Sequence, residues 1–585
     1  MSVPLLPQND PASDQRMITL QKKRKDYAWT FDKYPYLPML AKVPKSEVAP
    51  KAWSDVVNGA FKTALANNIR SNKDLGSLRG IADRVGELAE SLGDLFDDHS
   101  FRELSNDLLS LILAGNVTGR ASSIEDFSQF FQTIPLPAVA SKYATDAYFS
   151  RKAVCGANPE SLARVSALSD RVPVTDAMLQ QVSPGDRLDA ALAEGRLFTA
   201  DYGMLQGLEP NAVHGPKRYV YAPTVLYVVP PGQGTPAAFA IQVGRTPGAD
   251  NPVFTPADGW GWTLAKTHAS VADTIAGALW FHHARTHIVA EPFVVSAHRQ
   301  LAPNHPLLRL LLPHFEGTLY INELGWKTVF APDGLLDWFT GATRPSLRDM
   351  VVRSAQEFRF EDSILPRRFA ARGVDDASVL SDFPYRDDAL LVYGAIHDWV
   401  EAYIGVYYPD DGAILADLEL QGWLAEVTAP DAGGIQGLGE QGRFRTRAYL
   451  VDVLSQLLYA GSALHAAMNF PVSSEMAFVP NSPFGAYTTR PTRKDGWTEA
   501  DFLALLPPLD AAQRQFDTAY LLGESRFGKI GAYTEGWFSD PRVTPHVDRF
   551  KANLADIELT IDERNARRPA YIHLKPSRIP PGINI

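Results

Sequence analysis

Two stretches in the second half of the chain, ALLVYGAIHDWVEAYIGVYY and AYLVDVLSQLLYAGSALHAAMNF, are apolar almost all the way round a helix. A helix with one polar face lies on a surface. A helix without one must be surrounded by other elements. The chain must therefore fold around buried central helices, and its 585 residues are enough to cover them. From Trp262 onward, long helical patterns alternate with short breaks. A β-like patch lies at about 217–245, where RYVYAPTVLYVVPPG and AAFAIQVGR are rich in Val, Tyr and Phe around a Pro-Gly turn. There is no internal repeat and no low-complexity linker. The expected architecture is mainly α: one large helical domain over 1–585 with a small β subregion. Within it, 1–50 reads as a proline-rich arm on the surface and 51–150 as an N-terminal helical part. In that part LGSLRGIADRVGELAESLGDLFDD, residues 75–98, has apolar residues at three and four spacing. Residues 151–585 carry the chemistry discussed below.

The bulk composition narrows the partners. The net charge is −11, and the only basic run is QKKRKD at Gln21–Asp26, so a nucleic-acid partner is not expected. That run reads as a solvated loop or the start of a helix. Cys155 is the single cysteine, which rules out a disulfide within the chain. The N-terminal residues lack a charged segment followed by an apolar one, and no uncharged apolar run approaches the ~20 residues of a membrane span. A soluble, cytoplasmic protein is the expectation. The apolar stretch YAWTFDKYPYLPML is expected to pack onto the body, with transient contact with a membrane as its other use.

Two helical segments carry polar groups that burial makes expensive. In WTLAKTHASVADTIAGALWFHHARTHIVAEPF, His282 and His287 are five residues apart. In a regular α-helix five residues turn by ~500°, which would separate the two rings by ~140°. They converge only if the helix widens into a π-type turn. In SALHAAMNF, His465 and Asn469 are four apart and share a face. One buried histidine is more often a hydrogen-bonded core residue than a ligand. Two on one helix and a His/Asn pair on another point to a shared cation, because buried imidazoles and amides must be satisfied. His283 faces elsewhere and reads as a supporting residue. The chain ends RIPPGINI, and the α-carboxylate of Ile585 can complete the set. Three imidazoles, an amide oxygen and a carboxylate suit iron or manganese better than structural zinc.

These residues resemble the lipoxygenases. GANPESLARV, LDAALAEGRLFTADY, WTLAKTHASVAD, THIVAEPFVVSAHRQLAPNHPLLRLLLPHF, FPYRDDALLVYGAIHDWVEAYI, DLELQGWLAEV and HAAMNF follow in the family's order, and the chain closes on the family's terminal Ile. The resemblance implies non-haem iron, with manganese as the alternative, held by His282, His287, His465, Asn469 and the Ile585 carboxylate. It also implies one large helical catalytic domain with the metal between two central helices. Residues 1–150 do not read as the N-terminal PLAT β-barrel of many eukaryotic members, so the chain resembles the compact bacterial form. It departs from the common pattern at Gly277, where the family usually has a non-ligand His. It departs also at Ala278 and Val472, where plant members often carry a linked pair of Gln.

The implied reaction is the dioxygenation of polyunsaturated fatty acids containing a cis,cis-1,4-pentadiene. A hydrogen atom leaves the doubly allylic CH₂ at the metal centre. No side chain acts as catalyst, and O₂ adds on the opposite face to give a hydroperoxide. By gapless match from His287, Gly325 occupies the family's small-residue switch, where Gly accompanies R products, so an R hydroperoxide is expected. Plain close packing of a helix is the other reading of Gly325. By the same count Val329 and Leu336 line the channel, a role that core packing explains equally well. Two other readings are a hydroperoxide isomerase or epoxyalcohol-forming relative at the same metal, and an inactive lipid-binding homologue.

Overall fold

The computed structural model describes residues 3–71 and 118–585. The helical reading of residues 75–98 lies outside the described residues. The main core runs from Leu6 to Ile585 and draws on the arm, the sheet and the central helices alike. Helix Pro384–Tyr407 crosses its middle, burying Tyr385, Ile396, Trp399 and Tyr403. Its apolar circumference meets the helices Arg447–Tyr459 and Thr544–Asn565. Asp388, fully buried on it, is held by Arg564 at 2.7 Å and by Arg568.

Two long helices adjoin this middle layer, and each contains a widened segment. The first runs α over Trp260–Ile275, π over Ala276–Ile288 and α again over Val289–Gln300. Pro292 lies in the first turn after the register returns to α, where a missing N–H does least harm to the ladder. The Thr286 hydroxyl donates to the His282 carbonyl inside the widened segment. The second runs α over Arg447–Tyr459, π over Ala460–Leu464 and α over His465–Asn469. Here the Ser462 hydroxyl donates to the Leu458 carbonyl at 2.5 Å. In both segments a hydroxyl bonded four residues back supplies a donor to the main-chain ladder where its register changes.

The β subregion is a five-stranded antiparallel sheet in sequence order: Leu162–Arg164, Leu197–Asp201, Thr224–Val228, Ala237–Gln242 and Val253–Phe254. Along Thr224–Val228 the side chains alternate between two cores, Val225 and Tyr227 in the main one and Leu226 and Val228 in a smaller one. Both faces are covered, which accounts for the near-continuous apolar sequence. A register shift between Leu226 and Tyr227 breaks the alternation opposite, so Phe239 and Ala240 both enter the smaller core.

The arm is more structured than its proline content suggests. It forms a helix over Ser13–Asp26 that packs on Val289–Gln300, and the basic run fills its second half. Arg16 anchors the helix, pairing with Asp10 at 2.7 Å and Glu419 at 2.8 Å. Beyond it, Tyr27, Tyr34, Leu37, Met39 and Leu40 are buried, while Phe31 and Tyr36 stay exposed. The stretch YAWTFDKYPYLPML thus packs mainly onto the body. No helix among the described residues is long and apolar enough to cross a membrane.

Candidate metal centre

The first histidine helix brings His282 and His287 together as the π geometry requires. Their Nε2 atoms are 3.1 Å apart, and the His465 Nε2 of the second helix lies 3.2 Å from that of His287. All three donor atoms fall within 4.8 Å of one another. Burial pulls His287 down to about 4, and burial with the neighbouring rings holds His282 and His465 well below the usual imidazole range. At neutral pH each ring is therefore uncharged and keeps a lone pair.

Hydrogen bonding fixes where that lone pair lies on His287. The Asn322 amide donates to the His287 carbonyl at 2.9 Å and to Glu291 at 2.8 Å. Its Oδ1 is thus the acceptor, and it takes the His287 Nδ1–H at 3.1 Å. The proton sits on Nδ1, and Nε2 presents its lone pair to the other two rings. A cation among the three would satisfy all of them at once, and a ring whose second nitrogen is tied to an amide is the usual support of a metal-ligating His. Glu291 is itself held by the Leu40 main-chain N–H at 2.7 Å, so the arm reaches the supporting shell of His287. Burial raises the Glu291 carboxyl, opposed by Lys33 of the arm.

Asn469 is buried one turn beyond His465, and its Nδ2 donates to the Leu522 carbonyl at 3.1 Å. That bond leaves the amide oxygen as the available lone-pair atom. Ile585 is 8% exposed, and its main chain lies beside the His465 ring. Successive bonds steer the tail inward. Ile530 N–H donates to the Ile579 carbonyl, His314 Nδ1 to the Pro581 carbonyl, and Asn584 Nδ2 to the Phe527 carbonyl, each at 2.8 Å. The Trp53 indole closes the series on the Asn584 carbonyl at 2.5 Å. Gly582 permits the close approach, since a Cβ there would stand 2.7 Å from the His314 carbonyl oxygen.

His283 turns to the arm, with its Nε2 2.9 Å from the Tyr34 hydroxyl and its ring stacked on Phe330. At Gly277 a Cβ would meet that of Asn158 at 2.9 Å, so a larger residue has no room in this packing. Ala278 and Val472 are partly buried against the main core. Gly325 lies on helix Thr318–Thr328, three residues after Asn322, and a Cβ added to it meets nothing within 4 Å. Val329 follows one turn on, its N–H bonded to the Gly325 carbonyl at 2.8 Å, and Leu336 N–H reaches the Val329 carbonyl at 3.4 Å. Sequence reasoning missed Asn322, Glu291, Trp53 and Tyr34. Asn322 offered a signal, as a polar residue directly after the apolar run Leu319–Ile321.

A family model described as lipoxygenase matches residues 95–571. The chain belongs to the lipoxygenase family. It is similar to the linoleate 9/13-lipoxygenase of Pseudomonas aeruginosa, with 33% identity over 645 aligned residues covering 100% of this chain and 93% of the relative. It is 30% identical over 475 residues to the Homo sapiens hydroperoxide isomerase ALOXE3, covering 80% of this chain and 66% of the relative. In fold it matches the crystal structure of coral 8R-lipoxygenase with a TM-score of 0.86 at 28% identity, over 100% of this chain and 83% of the other. Lipoxygenases are dioxygenases with a non-haem metal, and the three histidines here fit one.

In this lipoxygenase Asn322→Leu removes the acceptor for His287 Nδ1–H at similar volume. The variant is expected to lose metal to a chelator at roughly 10–100-fold lower chelator concentration than the native protein. Metal content after dialysis against graded chelator measures it.

Proposed function

We propose that this lipoxygenase inserts O₂ into polyunsaturated fatty acids with a cis,cis-1,4-pentadiene, giving a hydroperoxide of R configuration. The observation that carries this reading is the convergence of the three neutral imidazoles of His282, His287 and His465; the Asn469 amide one turn beyond His465 and the buried Ile585 support it. His282, His287, His465, Asn469 and the Ile585 carboxylate would hold the metal, iron by preference and manganese as the alternative. When bound, such a metal supplies the one-electron oxidation that removes a hydrogen atom from the doubly allylic methylene. The chain's own contribution is placement. Asn322 and Glu291 fix the His287 ring, and the Leu522 carbonyl fixes the Asn469 amide. The apolar surroundings exclude water and hold one methylene among several similar ones. The open space at Gly325, with Val329 and Leu336 beyond it, is assigned to the oxygen and substrate pocket. The proton held on His287 Nδ1 stays there, so that Nε2 remains a ligand atom.

The test is oxygen uptake on adding linoleate, followed together with conjugated-diene absorbance and metal analysis of the purified protein. Uptake without added peroxide, on about one equivalent of iron or manganese, supports the proposal. The similarity to ALOXE3 favours one competing reading, a hydroperoxide isomerase at the same metal. That enzyme would consume added hydroperoxide and show no oxygen uptake with linoleate.

A further inference from the structure

A cavity of about 160 Å³ lies behind the two histidine helices, and none of Gly325, Val329 and Leu336 lines it. Its lining is mixed: Val289, Phe315, Leu464, Met468 and Ile583 are apolar, and Glu160, Glu357, Arg359, Asp362, Arg368 and Gln456 are polar or charged. At one side stands Arg285. The Arg285 Nε donates to the Ser354 hydroxyl at 3.1 Å, and that hydroxyl in turn donates to the Trp280 carbonyl at 2.8 Å. The guanidinium carbon lies 5.2 Å from the Trp280 ring centre and 5.6 Å from that of Phe281. The fork is thus held in place through Nε and two aromatic rings, while its two terminal NH₂ groups make no hydrogen bond among the described residues, and Glu160 and Glu357 act on it by charge alone. Glu160, the buried acid in the same wall, is already taken by Arg368 at 2.9 Å and Arg372 at 3.2 Å. Burial draws Arg285 down to about 10, which leaves it charged at neutral pH.

Arg285 is half-buried, with its guanidinium beside this mixed cavity. The volume would hold about five water molecules or one short chain. A planar fork with two free NH₂ groups matches a carboxylate. Three acids, Glu160, Glu357 and Asp362, and three arginines, Arg285, Arg359 and Arg368, line the cavity, a balance that suits a singly charged guest better than a doubly charged one such as phosphate. We propose that this cavity is a second binding site, for a monocarboxylate with a short apolar chain, its head on Arg285 and its tail against Leu464 and Met468. Leu464 and Met468 each adjoin a predicted metal donor in sequence, His465 and Asn469, and Ile583 is two residues from the third, Ile585. An occupant therefore presses on the backs of the residues that form the metal centre, and acts as a regulator of turnover. The binding claim stands apart from the reaction proposed above and is read without turnover.

The probe is octanoate, saturated and without a pentadiene, with 1-octanol as its uncharged match, both titrated calorimetrically into the full-length protein. Octanoate is expected to bind at one site at least tenfold more tightly than octanol. Arg285→Gln should erase that difference. Ser363→Trp, which plugs the cavity from another element and leaves Arg285 alone, should abolish octanoate binding. In the native protein octanoate should change the maximal rate of oxygen uptake without raising KM for linoleate. Equal binding of octanoate and octanol, unchanged octanoate affinity in Ser363→Trp, or purely competitive behaviour against linoleate would each overturn the proposal.

Discussion

His287→Ala is expected to purify folded, without bound metal and with oxygen uptake at the background rate. His287 has the central place in the cluster, since its Nε2 alone lies within hydrogen-bond distance of both other ring nitrogens. Removing it also strands the Asn322 oxygen, whose partner is gone. That loss costs about 1–3 kcal/mol for the unsatisfied group, with a comparable cavity term. A lower melting temperature with an unchanged far-UV spectrum is thus expected beside the loss of metal. Metal analysis, circular dichroism and an oxygen electrode check the three together. A variant that keeps a full equivalent of metal would show that His287 is a core residue and not a ligand.

The second large effect is on the product. Gly325→Ala is expected to move oxygen to the other end of the pentadiene and turn an R hydroperoxide into the S form. On the proposed assignment of Gly325 to the oxygen pocket, the physical cause is space: a methyl group would fill the place where O₂ approaches. The structure separates this from distortion, because the added Cβ has no heavy atom within 4 Å. In a helix, Ala in place of Gly is favourable by roughly 1 kcal/mol, so the variant should be at least as stable as the native protein. Chiral chromatography of the linoleate products measures the change. A dominant S product from the native chain, or an unchanged product from Gly325→Ala, would return Gly325 to a packing role.

What the sequence made legible follows from where the physics is local. The five-residue spacing of His282 and His287 demanded a widened turn, and Ala276–Ile288 supplies it. The second widened segment, Ala460–Leu464, carried no such mark. His465 and Asn469 are four apart and fit an ordinary α turn, and the small residues before them show no periodicity. The pair Thr224–Val228 and Ala237–Gln242 was readable from its Val, Tyr and Phe content. Leu162–Arg164 and Val253–Phe254, three and two residues long, are too short to show a strand pattern. The arm's contribution was hidden for a different reason. The Leu40 group that holds Glu291 is a main-chain N–H, which every non-proline residue has. Tyr34 likewise looked like any apolar residue until the fold set its hydroxyl against His283.

The terminal carboxylate is the donor on which the proposed metal centre turns, and deleting Ile585 tests it most directly. In a chain ending at Asn584 the carbonyl that takes the Trp53 indole N–H becomes the terminal carboxylate, which moves the charge one residue short of Ile585's place beside His465. It is expected to purify with well under one equivalent of metal and no oxygen uptake on linoleate. Full metal content with undiminished turnover in that shortened chain would contradict the proposal.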